Sequence, residues 1–527
     1  MTAGGAPQGP FLLASLIGII LISVGLARLA QKRAQKGDFL KGYFIGNRSL
    51  GPWALGLTTM VQSAGTFMGF PSLVYSHGWA LAFWLSGHMI IPLAAFGLMA
   101  KRLAQLSRRT GSITVPDLLR ERFDRGAVGR VASLLILTFM VFSLIGQFKA
   151  GAVLVKMVWP GDAPYSVGLA VFSVSVVGYT LIGGFLAAVW TDLFQSVLML
   201  LGVLVLFALT LAASGGSLEQ STVRAMEQTG PEFAFCPGYS TDGREFVPLE
   251  LAFSLSFLWF FANAASPGGM SRVMACKDTR SLRRSMIILS VYNSLVYIPL
   301  ILICVCGRSL IPDLPPRQSD EIIPRLTVAA TAGVPGGQVL AALILMAPLG
   351  AAMATVSSYL IVIASGLVRD LYQRWINPSA AGGRLRNLSY LCILGVGALA
   401  VAANLEPVDY LQAMILFSGA GLGASFFVPL AMALYWRRAT APGALASMLV
   451  GALAVLGLFV AGWAGDDPGI GQATRFRPFY LLGMDPLIWG LAASAAAGVT
   501  VSLVTRPPGS SHISSLFDAP EPPCSTA

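Results

Sequence analysis

Two apolar stretches of this chain are interrupted by residues that break helices and leave backbone oxygens available as ligands. The first interruption is residues 63–71 (SAGTFMGFP), and the second is residues 263–269 (NAASPGG). In hydrocarbon, each unpaired backbone group costs several kcal/mol unless protein, an ion or a ligand satisfies it. A single break is typical of a kinked, packed span, because Gly and Pro are frequent in membrane helices. Two breaks, one in each half of the chain, instead predict a transporter binding site near the middle of the membrane.

The edges of these breaks supply candidate solute contacts. At the first break they are Ser63, Gly65 and Thr66. At the second they are Trp259 and Asn263, which are one helical turn apart and therefore face one side. A Trp in a membrane span more often belongs to the core or to the interfacial belt. Its spacing to Asn263 and to the break that follows favours the solute-binding interpretation.

Gln147 and Lys149 are the most costly polar residues within a predicted span. A lysine in a span costs at least about 2.5–3.5 kcal/mol unless it faces water or a partner. Two interpretations of Lys149 remain open. Its side chain extends to the outer surface, or its ammonium awaits the carboxylate of an anionic solute. Gln147 is a further candidate solute contact.

The composition shows that membrane helices must position these residues. Of the 527 residues, 55% are hydrophobic and 11% are charged, and the mean hydropathy is +0.72. A soluble domain carries about 25% charged residues. We therefore expect an all-α membrane protein built as one helical bundle. An enzyme is not expected, because Asp192, Lys149 and the histidines form no recognisable catalytic set.

Hydropathy predicts about thirteen transmembrane helices of roughly 20 residues each. They cover approximately residues 11–29, 53–80, 81–100, 131–158, 165–185, 187–213, 249–271, 282–306, 337–364, 388–404, 408–435, 443–463 and 486–505.

The net charge of +11 is distributed unevenly between the loops that join these spans. Of the 35 Lys and Arg residues, 26 lie in or next to alternate loops on one side, 7 lie in the opposite loops, and Lys149 and Lys156 lie within a span. Basic loops stay in the cytoplasm. We therefore expect a multi-pass protein of the cell membrane with its N-terminus outside and its C-terminus in the cytoplasm. The charge orients the chain in the lipid bilayer, and no nucleic-acid partner is expected.

The predicted spans form two units of five. Because five is odd, the second unit starts on the opposite side of the membrane, and each unit opens with a broken helix. This arrangement is typical of an inverted-repeat transporter, although coincidental symmetry is the alternative. The expected divisions are an N-terminal segment with the first span, the first unit, an outer loop, the second unit, two additional spans and a cytoplasmic tail, at residues 1–52, 53–213, 214–248, 249–435, 436–505 and 506–527.

Several motifs resemble those of the sodium:solute symporter family over about residues 10–505. They are residues 42–49 (GYFIGNRS), 183–195 (GGFLAAVWTDLFQ), 272–278 (RVMACKD), 351–355 (AAMAT) and 369–372 (RDLY). The resemblance implies a LeuT-type inverted repeat (5+5) with broken first and sixth core helices. It also implies sodium-coupled solute import by alternating access.

Within that family, the chain is most similar in motif to the sodium/pantothenate symporters. The similarity lies in residues 67–71 (FMGFP), 147–152 (QFKAGA), 308–313 (RSLIPD), 434–436 (LYW) and 443–445 (GAL). Proline, sugar and monocarboxylate carriers share the same skeleton, and Trp259 and Asn263 match positions that touch substrate in the proline carriers. Together with Lys149, the resemblance leads us to expect a small organic carboxylate such as pantothenate or a monocarboxylate.

The resemblance also implies where the coupling sodium ion binds. In this family the ion lies between the first broken helix and the eighth core helix. By motif, its ligands map to the carbonyl oxygens of Thr59, Gln62 and Ala351 and to the hydroxyl of Thr355. The structural alternative for Thr355 is a hydroxyl that only bonds to the carbonyl four residues earlier.

The sodium site departs from the family pattern at Ala354, where relatives usually carry a second hydroxyl. Water, Ser357 or Ser358 would have to replace this ligand. The same departure leaves a proton-coupled symporter open as an alternative.

Asp192 has two interpretations. It follows the Gly-Gly pair at residues 183–184, so its carboxylate would stabilise the N-terminal end of a helix dipole. The matching aspartate of the family instead lies on the exit route of the ion, where it draws sodium toward the cytoplasm. A solute-sensing membrane receptor on the same fold is a further alternative, but such receptors carry a large cytoplasmic region that is not expected after Thr505. A monomer is the expected functional unit.

Overall fold

The computed structural model of the protein describes residues 10–34, 39–59, 65–159, 164–241, 244–245, 247–312, 314–406, 411–465 and 476–518. Apart from one short hairpin, the described chain is helical. Its α-helices are, in order, α1 Pro10–Ala34, α2 Phe39–Ile45, α3 Pro52–Thr58, α4 Phe70–His77, α5 Ala82–Ala95, α6 Lys101–Thr110, α7 Val115–Phe123, α8 Gly126–Val158, α9 Tyr165–Ala213, α10 Leu218–Thr229, α11 Leu249–Ala264, α12 Pro267–Met274, α13 Thr279–Leu310, α14 Ile322–Thr331, α15 Gly337–Ser365, α16 Gly382–Ala403, α17 Leu411–Tyr435, α18 Ala441–Ala464, α19 Pro486–Val504 and α20 Ser510–Phe517.

Shorter elements connect these helices. The hairpin strands are antiparallel, with Ser240 opposite Glu245. The strands are β1 Ser240–Thr241 and β2 Arg244–Glu245, the 3₁₀ helices are Gly46–Arg48, Gly78–Leu81, Pro231–Ala234, Pro316–Glu321 and Leu481–Gly483, and the π-helical segments are Gly65–Gly69, Phe96–Ala100 and Gly366–Ile376.

The structure confirms the second predicted break. α11 ends at Ala264, α12 begins at Pro267, and the two helices are bent by 43°. Ser266 between them has extended backbone, with φ −63° and ψ 120°. Pro267 suits the first position of α12, because its missing N–H would have no helical partner there. The hydrogen-bond ladder of this span is therefore interrupted between its two halves.

The first break lies between α3 and α4. α3 ends at Thr58, a π-helical turn covers Gly65–Gly69, and α4 starts at Phe70 with Pro71 in its first turn. The described part of the break predicted at residues 63–71 is a π-helical turn that leads directly into α4. Gln62 and Ser63, two of the predicted site residues, lie outside the described residues.

α9 contains two of the predicted spans. Its 49 residues are about 74 Å long at 1.5 Å per residue, more than twice the roughly 30 Å thickness of the hydrocarbon. The helix is divided at Gly184, whose φ is 58° and ψ −144°. A Cβ there would lie 2.6 Å from the ring of Tyr43, and the positive φ also favours glycine. The boundary predicted between residues 185 and 187 is thus close to the observed one.

Ten helices of the described chain are long and apolar enough to cross a membrane, and the bent pair α11–α12 adds an eleventh candidate. In this number α9 is one helix, although it contains two of the predicted spans. The structure therefore confirms the all-α membrane class, whereas the number thirteen stays a prediction.

α15 is the central helix of the bundle, since 83% of its most apolar stretch is buried. It packs along α9 and α8, and it also contacts α12. α12 in turn contacts α3. The helices that carry both breaks are therefore assembled around α15 and α9.

α7 is a short helix between α6 and α8. The Thr114 hydroxyl caps it by accepting the N–H of Asp117 at 3.1 Å. The same hydroxyl donates to Asp370 at 2.7 Å, and Asp117 pairs with Arg374 at 2.9 Å. These contacts attach α7 to the segment that continues α15.

Candidate sodium and solute site

Ala351, Ala354 and Thr355 are buried on α15. Thr355 Oγ1 donates to the carbonyl of Ala351 at 3.0 Å, which is the bond that the structural alternative requires. A hydroxyl has one hydrogen and two lone pairs. The oxygen of Thr355 can therefore keep this bond and still coordinate a cation. The methyl group of Ala354 supplies no ligand.

The two serines that were considered as replacements for this missing ligand have other partners. Ser357 Oγ donates to the carbonyl of Ala354 at 3.0 Å, so its lone pairs stay available. Ser358 Oγ accepts a hydrogen bond from Arg272 Nη1 at 2.8 Å. Each hydroxyl keeps at least one lone pair, so Ser357 and Ser358 both stay candidates for the missing ligand.

The first turn of α12 lies between the first break and α15. A Cβ at Gly269 would be 3.3 Å from the carbonyl oxygen of Thr59, and a Cβ at Gly268 would be 3.3 Å from Ser358 Oγ. Both contacts are tighter than ordinary van der Waals contact, so the two glycines permit this close approach. The structure thereby brings together Thr59, the second break and α15.

Asp192 and Arg272 form a buried ion pair beside these residues. Asp192 Oδ2 accepts from Arg272 Nη2 at 2.6 Å, and the side chains are 1% and 3% exposed. Arg272 Nη1 also donates to the carbonyl of Gly268 at 3.3 Å. Asp192 Oδ1 has no hydrogen-bond partner among the described residues.

This geometry corrects two sequence-based interpretations. Asp192 lies about two turns after Gly184, beyond the first turn in which a helix dipole acts, so its interpretation as a helix-terminus carboxylate is wrong. Arg272 is one of the 26 basic residues assigned to the loops of one side, but it is buried within α12. A basic residue directly after a membrane break was the sequence signal that could have identified it as the partner of a buried acid.

Gln195 was part of a family motif but was not singled out as a site residue. It is fully buried, and neither polar atom of its amide has a hydrogen-bond partner among the described residues. A Cβ at Gly350 would be 3.2 Å from the Gln195 side chain. Gln195 therefore lies beside the residue that precedes Ala351, a candidate sodium ligand on α15. The adjacent Ser196 donates to the carbonyl of Leu57 at 3.0 Å and so links α9 to α3.

The candidate solute residues lie on both breaks. Thr66 Oγ1 is 3.3 Å from the hydroxyl of Tyr297 on α13, and Gly65 begins the π-helical turn. Trp259 and Asn263 are both half-buried and lie four residues apart on α11.

Lys149 has a carboxylate partner within the chain. Its Nζ lies 3.5 Å from Oδ2 of Asp320, which belongs to the 3₁₀ helix Pro316–Glu321. The two side chains are 12% and 8% exposed. The ammonium is therefore already paired in this structure, and both interpretations of Lys149 stay predictions. Gln147 is fully buried two residues earlier on α8, and residues two apart do not share a helix face.

Comparisons with known proteins agree with this architecture. The profile of the sodium:solute symporter family matches residues 43–451. A sodium/pantothenate symporter of Haemophilus influenzae is 33% identical over 83% of this chain and 88% of its own, and one of Escherichia coli is 31% identical over the same shares. A high-affinity proline transporter of Bacillus subtilis is 30% identical over 89% of this chain and 93% of its own.

The fold has a counterpart among solved structures. A sodium-coupled sialic acid symporter, solved in a substrate-bound outward-open state, aligns with a TM-score of 0.72 over 95% of this chain and 98% of its own, at 21% identity. The likeness confirms the LeuT-type fold. The family match favours a symporter over a receptor or an enzyme, and it favours sodium over a proton as the coupling ion. The chain therefore belongs to the sodium:solute symporter family and is a multi-pass, sodium-coupled membrane transporter.

Proposed function

We propose that the transported solute is a small organic carboxylate, with pantothenate as the first candidate. The observation that carries this proposal is the ammonium of Lys149, which is held in membrane-spanning α8 and is already paired with a carboxylate. A group that binds one carboxylate at low exposure has the charge and surroundings to bind another. The two relatives named as pantothenate symporters support the choice of first candidate.

Proline is the second candidate. It is favoured by the Bacillus subtilis relative and by Trp259 and Asn263, which match the positions expected to contact substrate in proline carriers. Proline carries an ammonium as well as a carboxylate, so Lys149 would repel one end of the molecule. A monocarboxylate without a second charge avoids this repulsion, as pantothenate does.

We infer that the sodium ion binds where the first break faces α15, and that the solute binds between the two breaks. The proposed sodium ligands are Thr59, Gln62, Ala351 and Thr355, with Ala354 at the position of the missing hydroxyl. Asp192 is proposed to lie on the exit route of the ion. The proposed solute contacts are Ser63, Gly65, Thr66, Gln147, Lys149, Trp259 and Asn263.

The proposed cycle is alternating access by a monomer with its N-terminus outside. Two five-helix units, residues 53–213 and 249–435, would rock around the site. One sodium ion that moves inward gains about 2.3 kcal/mol per 100 mV in addition to its concentration gradient. The excess of basic residues on one side of the chain supports this orientation.

The test is uptake by purified protein in proteoliposomes. Labelled pantothenate, acetate, pyruvate and proline are supplied in turn, with and without an inward sodium gradient. We expect gradient-dependent uptake of pantothenate that unlabelled acids inhibit more strongly than proline does. Gradient-dependent uptake of proline alone would refute the assignment of an anionic solute.

A further inference from the structure

The 3₁₀ helix Pro316–Glu321, which lies between α13 and α14, is anchored on the first broken helix. Ser72 Oγ on α4 donates to Ser319 Oγ at 2.5 Å. Tyr75 on α4 donates to the carbonyl of Ile311 and accepts the N–H of Leu314 at 3.3 Å. We call residues 311–321, without the undescribed residue 313, the outer segment. It is attached to the half-helix that directly follows the first break.

The Lys149–Asp320 pair ties this outer segment to a second helix. Lys149 lies on α8, and Asp320 is the penultimate residue of the outer segment. Both side chains are almost buried, where two charges lose hydration and depend on each other. Removal of either charge would break this link between α8 and the outer segment, which favours separation of the two elements.

The solute site and this pair use the same ammonium. If a solute carboxylate binds Lys149, as proposed above, it competes with Asp320 for the same ammonium. An Asp320 carboxylate displaced from Lys149 gains hydration by moving toward water. Binding of an acid at Lys149 would thereby release the outer segment from α8.

We propose that Lys149 and Asp320 form a lock on the outer side of the site, and that the carboxylate of the solute opens it by exchanging with Asp320. The opening by solute rests on the proposed carboxylate substrate, whereas the lock itself rests only on the observed pair. A neutral solute brings no charge for Lys149 and leaves the lock closed.

The experiment measures the distance between the outer segment and α8 with two spin labels. The labels are attached to the variants Gln318→Cys and Lys156→Cys. Gln318 is exposed on the outer segment, and Lys156 is exposed two turns beyond Lys149 on α8. Exposed Cys236 is replaced by Ser. Pantothenate with sodium is the acid probe, and pantothenol, in which an alcohol replaces the carboxylate, is the neutral one.

We expect a short distance in the protein without solute, a longer one with pantothenate, and no change with pantothenol. Asp320→Asn should give the long distance without any solute. The control is Glu321→Gln, which removes the neighbouring acid of the same segment. Glu321 pairs with Arg325 at 2.7 Å rather than with Lys149, so this variant should keep the short distance.

The charge-swapped variant Lys149→Asp/Asp320→Lys tests the lock independently of the solute contact. It keeps an ion pair between the two positions but removes the ammonium from position 149. It should restore the short distance while pantothenate no longer lengthens it. A wild-type distance in Asp320→Asn would overturn the lock. Pantothenate that binds wild type without lengthening the distance would overturn the exchange. If pantothenate does not bind wild type, the proposed solute is refuted. The spin-label distance in Asp320→Asn still tests the lock, because that measurement needs no solute.

Discussion

Asp192 Oδ2 lies 2.6 Å from Arg272 Nη2, and this buried pair joins the second half of α9 to the half-helix that follows the second break. The same arginine holds Ser358 on α15. The pair therefore fixes α12, whose glycines approach both Thr59 and α15. A substitution of Asp192 should therefore alter the candidate sodium site as well as the proposed exit route.

Asp192→Asn should lower the maximal transport rate while the half-saturating solute concentration outside stays near normal. The reason is slower release of sodium to the cytoplasm when the carboxylate on its route is lost. The measurement is sodium-driven uptake in proteoliposomes, normalised to folded protein. Normalisation is required because breaking a buried ion pair costs about 3–5 kcal/mol of stability.

The double variant Asp192→Asn/Arg272→Gln is the control for this stability cost. It removes both charges and leaves neither of them buried alone. If the carboxylate attracts sodium, the double variant should fold better than Asp192→Asn and still transport slowly. Recovery of the normal rate in the double variant would show that Asp192 acts only by holding Arg272.

Ala354→Ser should increase the apparent affinity for sodium. The added hydroxyl would restore the ligand that the family usually has at this buried position of α15. One polar contact is worth about 0.5–1.5 kcal/mol, which corresponds to roughly a two- to tenfold change. Sodium activation of uptake measures it. Ala352→Ser, on an equally buried alanine of the same helix, should not tighten sodium binding; equal gains in both variants would contradict the mapped site.

Lys149→Gln should raise the half-saturating concentration of pantothenate about tenfold or more, because a charge-assisted contact is worth roughly 1.5–3 kcal/mol. Lys149→Arg should retain part of the affinity, since the charge persists with altered geometry. Competition assays with pantothenate and pantothenol measure both effects. Pantothenol should bind wild type weakly and lose little on mutation. Equal losses for the acid and the alcohol would rule out a contact between Lys149 and the carboxylate.

The buried carboxyl of Asp485 leads us to expect that the stability of the protein depends on pH. It caps α19 by accepting the N–H of Leu487 at 2.9 Å, and burial raises the pKa of its carboxyl to about 7. The unfolded chain has a pKa of about 3.9 for this group. The folded state thus holds the proton more tightly, so the stability contributed by Asp485 is present below about pH 4 and is lost as the pH rises toward 7.

Thermal unfolding in detergent between pH 4 and pH 7 measures this effect. Asp485→Asn keeps an oxygen for the cap but cannot titrate, so its melting temperature should change less with pH than that of wild type. Asp124→Asn changes an exposed aspartate and should keep the wild-type slope. Parallel slopes for wild type and Asp485→Asn would contradict the assigned pKa.

Features that depend on local chemistry could be predicted from the sequence. Pro267 and its neighbouring glycines identified the second break, and the pair at residues 183–184 marked the division of α9, because these residues restrict or free the backbone wherever they occur. The family motifs then supplied the LeuT-type fold and the coupling ion.

The pairings that define the site could not be predicted in this way. Asp192 and Arg272 are 80 residues apart, and Lys149 and Asp320 are 171 apart (272 − 192 and 320 − 149). No spacing rule along one helix connects residues at such separations. Their partners are set by how α8, α9, α12 and the 3₁₀ helix Pro316–Glu321 are placed in the bundle, and this placement depends on the whole fold.

The most direct test of the account is sodium activation of pantothenate uptake by Thr355→Ala. The matched control is Thr327→Ala, which also removes a buried hydroxyl that donates to the carbonyl four residues earlier, at 2.8 Å in α14. If Thr355 is the remaining hydroxyl ligand of sodium, its variant should require about tenfold more sodium for half-maximal uptake, as expected for a lost contact to an ion. The control should keep the wild-type sodium requirement. An unchanged sodium requirement in folded Thr355→Ala would contradict a sodium site between the first break and α15.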